Sequence, residues 1–93
     1  MIAAVSAPAR RQPCVLVADD TDTIRALFEK LLTNDGYQVI SAVDGIEALD
    51  AVSVYHPDVI VTDVGMPGVD GIEVCRRLKR DPRAFRVELH LYP

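Results

Sequence analysis

The sequence predicts an α/β fold built on a parallel sheet. Three short apolar runs, at residues 14–18, 37–42 and 58–63, alternate with segments whose apolar residues have helical spacing. Apolar runs of this length, without polar alternation, are typical of strands buried on both faces. Regular alternation of strands and helices favours parallel strands joined by right-handed crossovers. The 93 residues are enough for one domain with its own core.

The first strand, Cys14–Ala18, runs directly into the acidic pair Asp19 and Asp20. Thr21 or Asp22 can cap the start of the helix that follows, because side chains of these types accept hydrogen bonds from the first turn. Apolar residues at i, i+3, i+4, i+7 and i+8 form one stripe of this helix: Ile24, Leu27, Phe28, Leu31 and Leu32.

The later elements follow the same logic. We predict, in order, a strand, a helix, a strand, a helix and a strand over residues 37–42, 45–55, 58–63, 70–80 and 85–93. Both later helices stop at a residue that precedes a proline, where helical geometry is disfavoured. The final segment alternates apolar Val87, Leu89 and Leu91 with polar residues, which indicates a strand with one solvent-exposed face.

Composition and charge exclude several classes of protein. No apolar run approaches the roughly 20 residues needed to cross a bilayer, so no membrane span is expected. The net charge of −4 argues against direct nucleic-acid binding by the basic residues between positions 76 and 86, which complement a helix end instead. Cys14 and Cys75 lack the spacing of a disulfide framework or a zinc site. Because disulfides are rare in reducing compartments, a cytoplasmic location is expected. Residues 1–12 are interpreted as a disordered leader and residues 13–93 as the domain.

Acidic residues close the first and third strands. If the first strand lies between the other two, Asp19, Asp20 and Asp63 meet in one cleft at the carboxyl ends, where α/β sheets bind ligands. Mutual repulsion of these carboxylates would be relieved by Mg²⁺, which prefers oxygen ligands. A carboxylate beside Mg²⁺ can act as a nucleophile and form an aspartyl phosphate. Asp63 is the candidate, because a loop stiffened by Pro67 and opened by glycines follows it and can wrap around a phosphoryl group.

The stretches "VADD" and "VTDVGMPGVDG" together resemble the response regulator receiver domain of two-component signalling. The resemblance, over about residues 14–83, implies a flavodoxin-like, doubly wound parallel sheet of order 2-1-3-4. It implies that Asp63 accepts a phosphoryl group from a histidine kinase or a phosphotransfer protein. It also implies that the domain is a signalling module and not an enzyme. It also implies a Mg²⁺ site made by Asp20 and Asp63, by Asp19 through water and by the backbone carbonyl of Gly65.

The sequence departs from this family near its end. The family's fourth strand ends in Thr or Ser and its fifth in Lys, whereas here no Thr or Ser follows Thr62 and no Lys follows Lys79. Tyr92 falls near the Thr/Ser position. We therefore expect a receiver that is incomplete at its C-terminus, without the fifth strand–helix unit, and in which phosphorylation switches the conformation poorly.

Two alternatives to a phosphoacceptor were considered. An unphosphorylated adaptor or dimerisation module is favoured by the missing Lys and Thr/Ser. Without a fifth helix, part of the first helix's apolar stripe would be exposed, which offers a surface for a partner or a homodimer. A haloacid dehalogenase-like phosphatase also uses an aspartyl nucleophile and Mg²⁺, but it has a second Asp two residues after the nucleophile, where this sequence has Gly65.

Overall fold

The structure, a computed structural model, describes residues 12–84 and 87–93. Its elements in chain order are β1 (Cys14–Ala18), α1 (Asp22–Asn34), β2 (Gln38–Ala42), α2 (Gly45–Tyr55), β3 (Val59–Asp63), α3 (Gly71–Arg80), a 3₁₀ turn (Pro82–Ala84) and β4 (Glu88–Tyr92). The predicted order of strands and helices is confirmed. The predicted leader lies, apart from Gln12, outside the described residues, as do Phe85 and Arg86 of the last predicted strand.

The four strands form one parallel sheet in the order β2-β1-β3-β4. The predicted 2-1-3-4 order is therefore confirmed. β1 is buried along its whole length, which explains its uninterrupted apolar sequence. The strand order sets the carboxyl ends of β1 and β3 side by side, with Ala18 opposite Thr62. The same edge continues into β4, where Tyr92 lies opposite Asp63.

The core divides into two clusters, one on each face of the sheet. Successive residues of β1 point to opposite faces, so a single strand supplies both clusters. Leu16 and Ile60 pack on one face with α2 and α3 residues: Ala48, Ala51, Val52, Val74 and Leu78. On the other face α1 contributes Phe28 and Leu32, which pack against Val15, Val17, Tyr37 and Val59. Helices thus cover both faces, as the doubly wound fold requires.

The apolar stripe of α1 is only partly used by the core. Phe28 and Leu32 pack against the sheet, whereas Leu27 and Leu31 remain 53% and 54% exposed. All residues of α1 are described by the structure, and none of them is buried. The predicted exposure of this stripe is confirmed for Leu27 and Leu31, while Ile24 is half-buried.

Two strands begin one residue later than predicted. Tyr37 precedes β2, because its N–H donates to the Leu32 carbonyl at 3.0 Å and so still closes the preceding helix. Asp58 precedes β3, and its carboxylate accepts a hydrogen bond from the N–H of Cys14 at 2.7 Å. Within the described ranges, none of the helices has both the length and the hydropathy to cross a bilayer.

Candidate metal centre

The strand ends bring three acidic side chains together. Asp19 and Asp20 follow β1, and Asp63 ends β3 on the neighbouring strand. One carboxylate oxygen from each of the three lies within 4.8 Å of the other two. The three acidic residues that we predicted to meet in one cleft therefore do lie together in the structure. A group of three carboxylate oxygens at this spacing has the donor type that Mg²⁺ prefers.

Asp19 is the innermost of the three, with 2% of its surface exposed. Its Oδ1 accepts a hydrogen bond from the N–H of Thr21 at 2.7 Å, and its Oδ2 accepts one from the hydroxyl of Tyr92. The guanidinium of Arg25 donates to the backbone carbonyl of Asp19 at 2.7 Å and also pairs with Asp22. Hydrogen bonds thus hold Asp19 at its backbone and at both carboxylate oxygens.

Asp20 and Asp63 face outward. Asp20 is exposed and Asp63 is half-buried. The N–H of Gly65 donates to Oδ1 of Asp63 at 3.0 Å, which orients this carboxylate at the end of its strand. An approaching ion or phosphoryl donor would therefore meet Asp20 and Asp63 before it met the covered carboxylate of Asp19.

The loop after Asp63 is fixed to the domain at two points. Met66 is 3% exposed and packs into the core cluster beneath α2 and α3, so its role in the loop is structural. Gly71, at the start of α3, lies so close to β3 that a Cβ there would be 2.3 Å from the carbonyl oxygen of Asp63. At Gly65 a Cβ would meet only Oδ1 of Asp63, at 3.8 Å. The loop therefore requires glycine at its end and has room for a side chain near its beginning.

Tyr92 also lies at the site, although the sequence pattern predicted only its position near the end of the last strand. Its ring lies 5.4 Å from that of Phe28, at an interplanar angle of 42°. Burial and the hydrogen bond to Asp19, together with the surrounding carboxylates, raise the pKa of the Tyr92 phenol well above its usual range. Tyr92 is therefore a hydrogen-bond donor at neutral pH. This contact depends on the register of β4 against β3, which cannot be read from a single sequence.

Several other polar residues do not belong to this acidic group. Thr62 is fully buried, which indicates a packing role. His56 is exposed and has a left-handed backbone (φ 50°) at the end of α2, which is typical of a turn residue. Cys75 is a buried free thiol, and burial raises its pKa, so it stays protonated and unreactive.

Comparison with known families identifies one match over most of the chain. The family model described as the response regulator receiver domain matches residues 15–89. The chain is 44% identical over 68 residues to the transcriptional regulatory protein AfsQ1 of Streptomyces coelicolor, which covers 73% of this chain and 30% of that protein. It is 40% identical over 73 residues to the sporulation initiation phosphotransferase F of Bacillus subtilis, which covers 78% of this chain and 59% of that protein.

Solved structures give the same picture of the fold. The chemotaxis protein CheY4 of Vibrio cholerae superimposes with a TM-score of 0.82 at 31% sequence identity, over 86% of this chain and 67% of that one. Of the two curated relatives named above, this chain spans 30% of AfsQ1 and 59% of the sporulation initiation phosphotransferase F. The similarity therefore concerns a single domain of these longer proteins and not their complete activities.

Proposed function

This chain belongs to the response regulator receiver domain family of two-component systems, and from that premise we propose that Asp63 accepts a phosphoryl group from a histidine kinase or a phosphotransfer protein. The observation that carries the proposal is the convergence of the Asp19, Asp20 and Asp63 carboxylates at the ends of β1 and β3. The role is that of a signalling module in the cytoplasm and not that of an enzyme. Cys14 and Cys75 are buried and form no disulfide, which is in keeping with that compartment.

In the proposed reaction, a carboxylate oxygen of Asp63 attacks the phosphorus of the donor. The bond from phosphorus to the donor's imidazole nitrogen breaks, and its electron pair stays on that nitrogen. The N–H of Gly65 holds Oδ1 of Asp63 and so keeps the carboxylate oriented for attack. The product is an aspartyl phosphate on Asp63.

We place Mg²⁺ on the side chains of Asp20 and Asp63 and on the backbone carbonyl of Gly65, with Asp19 acting through water. The outward position of Asp20 and Asp63 and the engaged oxygens of Asp19 support this division. The ion, when bound, supplies positive charge that neutralises the oxygens of the phosphoryl group. Without a bound cation, the three carboxylates would repel the negative charge of an incoming phosphoryl group.

Impaired switching forms the second part of the proposal. In the family a short Thr or Ser side chain at the end of the fourth strand follows the phosphoryl group. Here Tyr92, at the end of β4, falls near that place, its ring packs against Phe28, and its hydroxyl bonds to Asp19. A ring of this size differs from the short hydroxyl side chain that follows the phosphoryl group in the family, so we expect it to respond poorly to a phosphoryl group on Asp63. We therefore propose that phosphorylation of Asp63 changes the conformation of the rest of the domain only slightly.

Beryllofluoride, a mimic of the phosphoryl group, tests both parts by NMR. With Mg²⁺ already saturating, we expect further amide shifts at Asp20, Asp63 and Gly65 and little change along α3 and β4. Comparison against the Mg²⁺-loaded protein removes the effect of the metal itself. Shifts spread evenly over the surface would count against the site, and large further shifts through α3 and β4 would show an intact switch.

The exposed face of α1 favours a second candidate function, that of an adaptor or a homodimer. Leu27 and Leu31 are four residues apart and both more than half exposed, so they form a contiguous apolar surface on one side of the helix. The outward position of two leucines on one helix face is the observation that supports it. This function needs no phosphorylation and can coexist with the first.

Self-association through α1 is tested by sedimentation. We expect a concentration-dependent increase in mass that Leu27→Lys reduces, because a charge in an apolar interface is desolvated without a partner. Ile72→Lys is the matched control, since Ile72 is 46% exposed on α3. A monomer at all concentrations, or equal loss in both variants, would exclude α1 as the interface.

A further inference from the structure

The carboxylate of Asp19 is enclosed before any ligand arrives. It is 2% exposed, its Oδ1 is held by the N–H of Thr21, and its Oδ2 is held by the hydroxyl of Tyr92. A carboxylate oxygen can accept more than one hydrogen bond, but each further donor needs space. Because Asp19 is only 2% exposed, a further donor would reach Oδ2 most readily if the Tyr92 hydroxyl moved away.

Tyr92 reaches Asp19 from a different strand, 73 positions later in the chain. The end of β4 places it opposite Asp63, and its ring contacts Phe28 of α1. Of the groups bonded to the Asp19 carboxylate, the Thr21 N–H belongs to the local backbone, whereas the Tyr92 hydroxyl lies on a side chain that can rotate. The Tyr92 hydroxyl is therefore the partner that can leave.

We propose that Tyr92 competes with the metal for Asp19, so that Mg²⁺ binding displaces the Tyr92 hydroxyl from Oδ2 of Asp19. This inference rests on the metal site of the proposed function and adds to it a residue that sets the affinity of that site. With the hydroxyl displaced, Oδ2 would be open to accept a hydrogen bond from a water that the ion would hold. Tyr92 acts through Asp19 and is a positioning residue, not a ligand.

Linkage fixes the sign of the effect. A hydrogen bond that exists in the free protein and is lost on binding opposes binding, so its removal must strengthen binding. Tyr92→Phe deletes the hydroxyl and keeps the ring against Phe28. We expect Tyr92→Phe to bind Mg²⁺ roughly tenfold more tightly, the usual size for a hydrogen bond to a charged group. A purely structural Tyr92 would lower stability on substitution and leave the affinity unchanged or weaker.

The experiment is a Mg²⁺ titration of the wild-type protein and of Tyr92→Phe, with Kd taken from the amide shifts of Asp20 and Asp63. Tyr55→Phe is the matched control, because Tyr55 is 52% exposed at the end of α2 and should leave Kd unchanged. In the wild-type protein, the ring-carbon signals of Tyr92 should move with the same Kd while those of Tyr55 stay fixed. This second measurement decides the question even if the variant does not fold.

The outcomes separate this inference from the proposed function. Unchanged or weaker Mg²⁺ binding by Tyr92→Phe overturns the competition. Wild-type shifts at Asp20 and Asp63 without any change at the Tyr92 ring overturn it too, and they leave the metal site itself standing. No shift at Asp20 or Asp63 in either protein overturns the metal site and the competition together.

Discussion

Asp63→Asn should abolish phosphorylation of this protein by acetyl phosphate. An amide is a poor nucleophile, and loss of the attacking group lowers a rate by on the order of a thousandfold or more. The variant should still fold, because the Asn oxygen can accept the hydrogen bond that Gly65 donates to Oδ1 of Asp63. Intact-mass spectrometry in the presence of Mg²⁺ would measure the fraction that carries a phosphoryl group.

Asp50→Asn is the matched control for this experiment. Asp50 is exposed on α2, so its replacement removes the same charge outside the acidic cleft. We expect wild-type phosphorylation in Asp50→Asn and none in Asp63→Asn. A phosphoryl adduct that forms on Asp63→Asn at the wild-type rate would show that another residue is the acceptor.

Gly71→Ala should cause a large loss of stability together with damage to the site. The new Cβ would lie 2.3 Å from the carbonyl oxygen of Asp63 and 3.1 Å from Cα of Val64, and both are backbone atoms. Relief requires movement of β3 or of the start of α3, which typically costs about 2–3 kcal/mol. The gain in helix propensity from Gly to Ala is at most about 1 kcal/mol, so the clash dominates.

Gly65→Ala makes the same chemical change where there is space. Its Cβ would meet only Oδ1 of Asp63, at 3.8 Å, which is an ordinary contact. We expect a change of stability within about 0.5 kcal/mol. Urea denaturation of both variants measures the difference directly. Equal losses of stability in the two variants would mean that the close approach at Gly71 does not limit this loop.

Most of the fold could be predicted from the sequence, because strands buried on both faces have unbroken apolar runs. The unbroken apolar run Cys14–Ala18 indicated a strand buried on both faces, and it is the central strand of the sheet. The acids at the ends of β1 and β3 were placed together because parallel strands present their carboxyl ends at one edge. The order 2-1-3-4, in contrast, came from a family resemblance, since local patterns do not specify which strands pair.

The parts that sequence reasoning missed depend on contacts between distant segments. The bond from Tyr92 to Asp19 needs both the β3–β4 register and one particular side-chain direction. The pattern of the last strand predicted an inward Leu91, yet Leu91 is 45% exposed while Leu89 packs on the core. Among the residues that the structure describes, β4 is an edge strand, where alternation alone does not determine which side chains are packed.

Site mapping of the phosphoryl group on the wild-type protein tests the central claim most directly. The protein would be incubated with acetyl phosphate, with Mg²⁺ or with a chelator, and its peptides analysed by mass spectrometry after borohydride trapping of acyl phosphates. We expect modification of Asp63, slow and dependent on Mg²⁺, with no modification of Asp19 or Asp20. Modification of a different acidic residue, or equal modification of Asp63 with the chelator present, would contradict a metal-assisted phosphoacceptor site at the ends of β1 and β3.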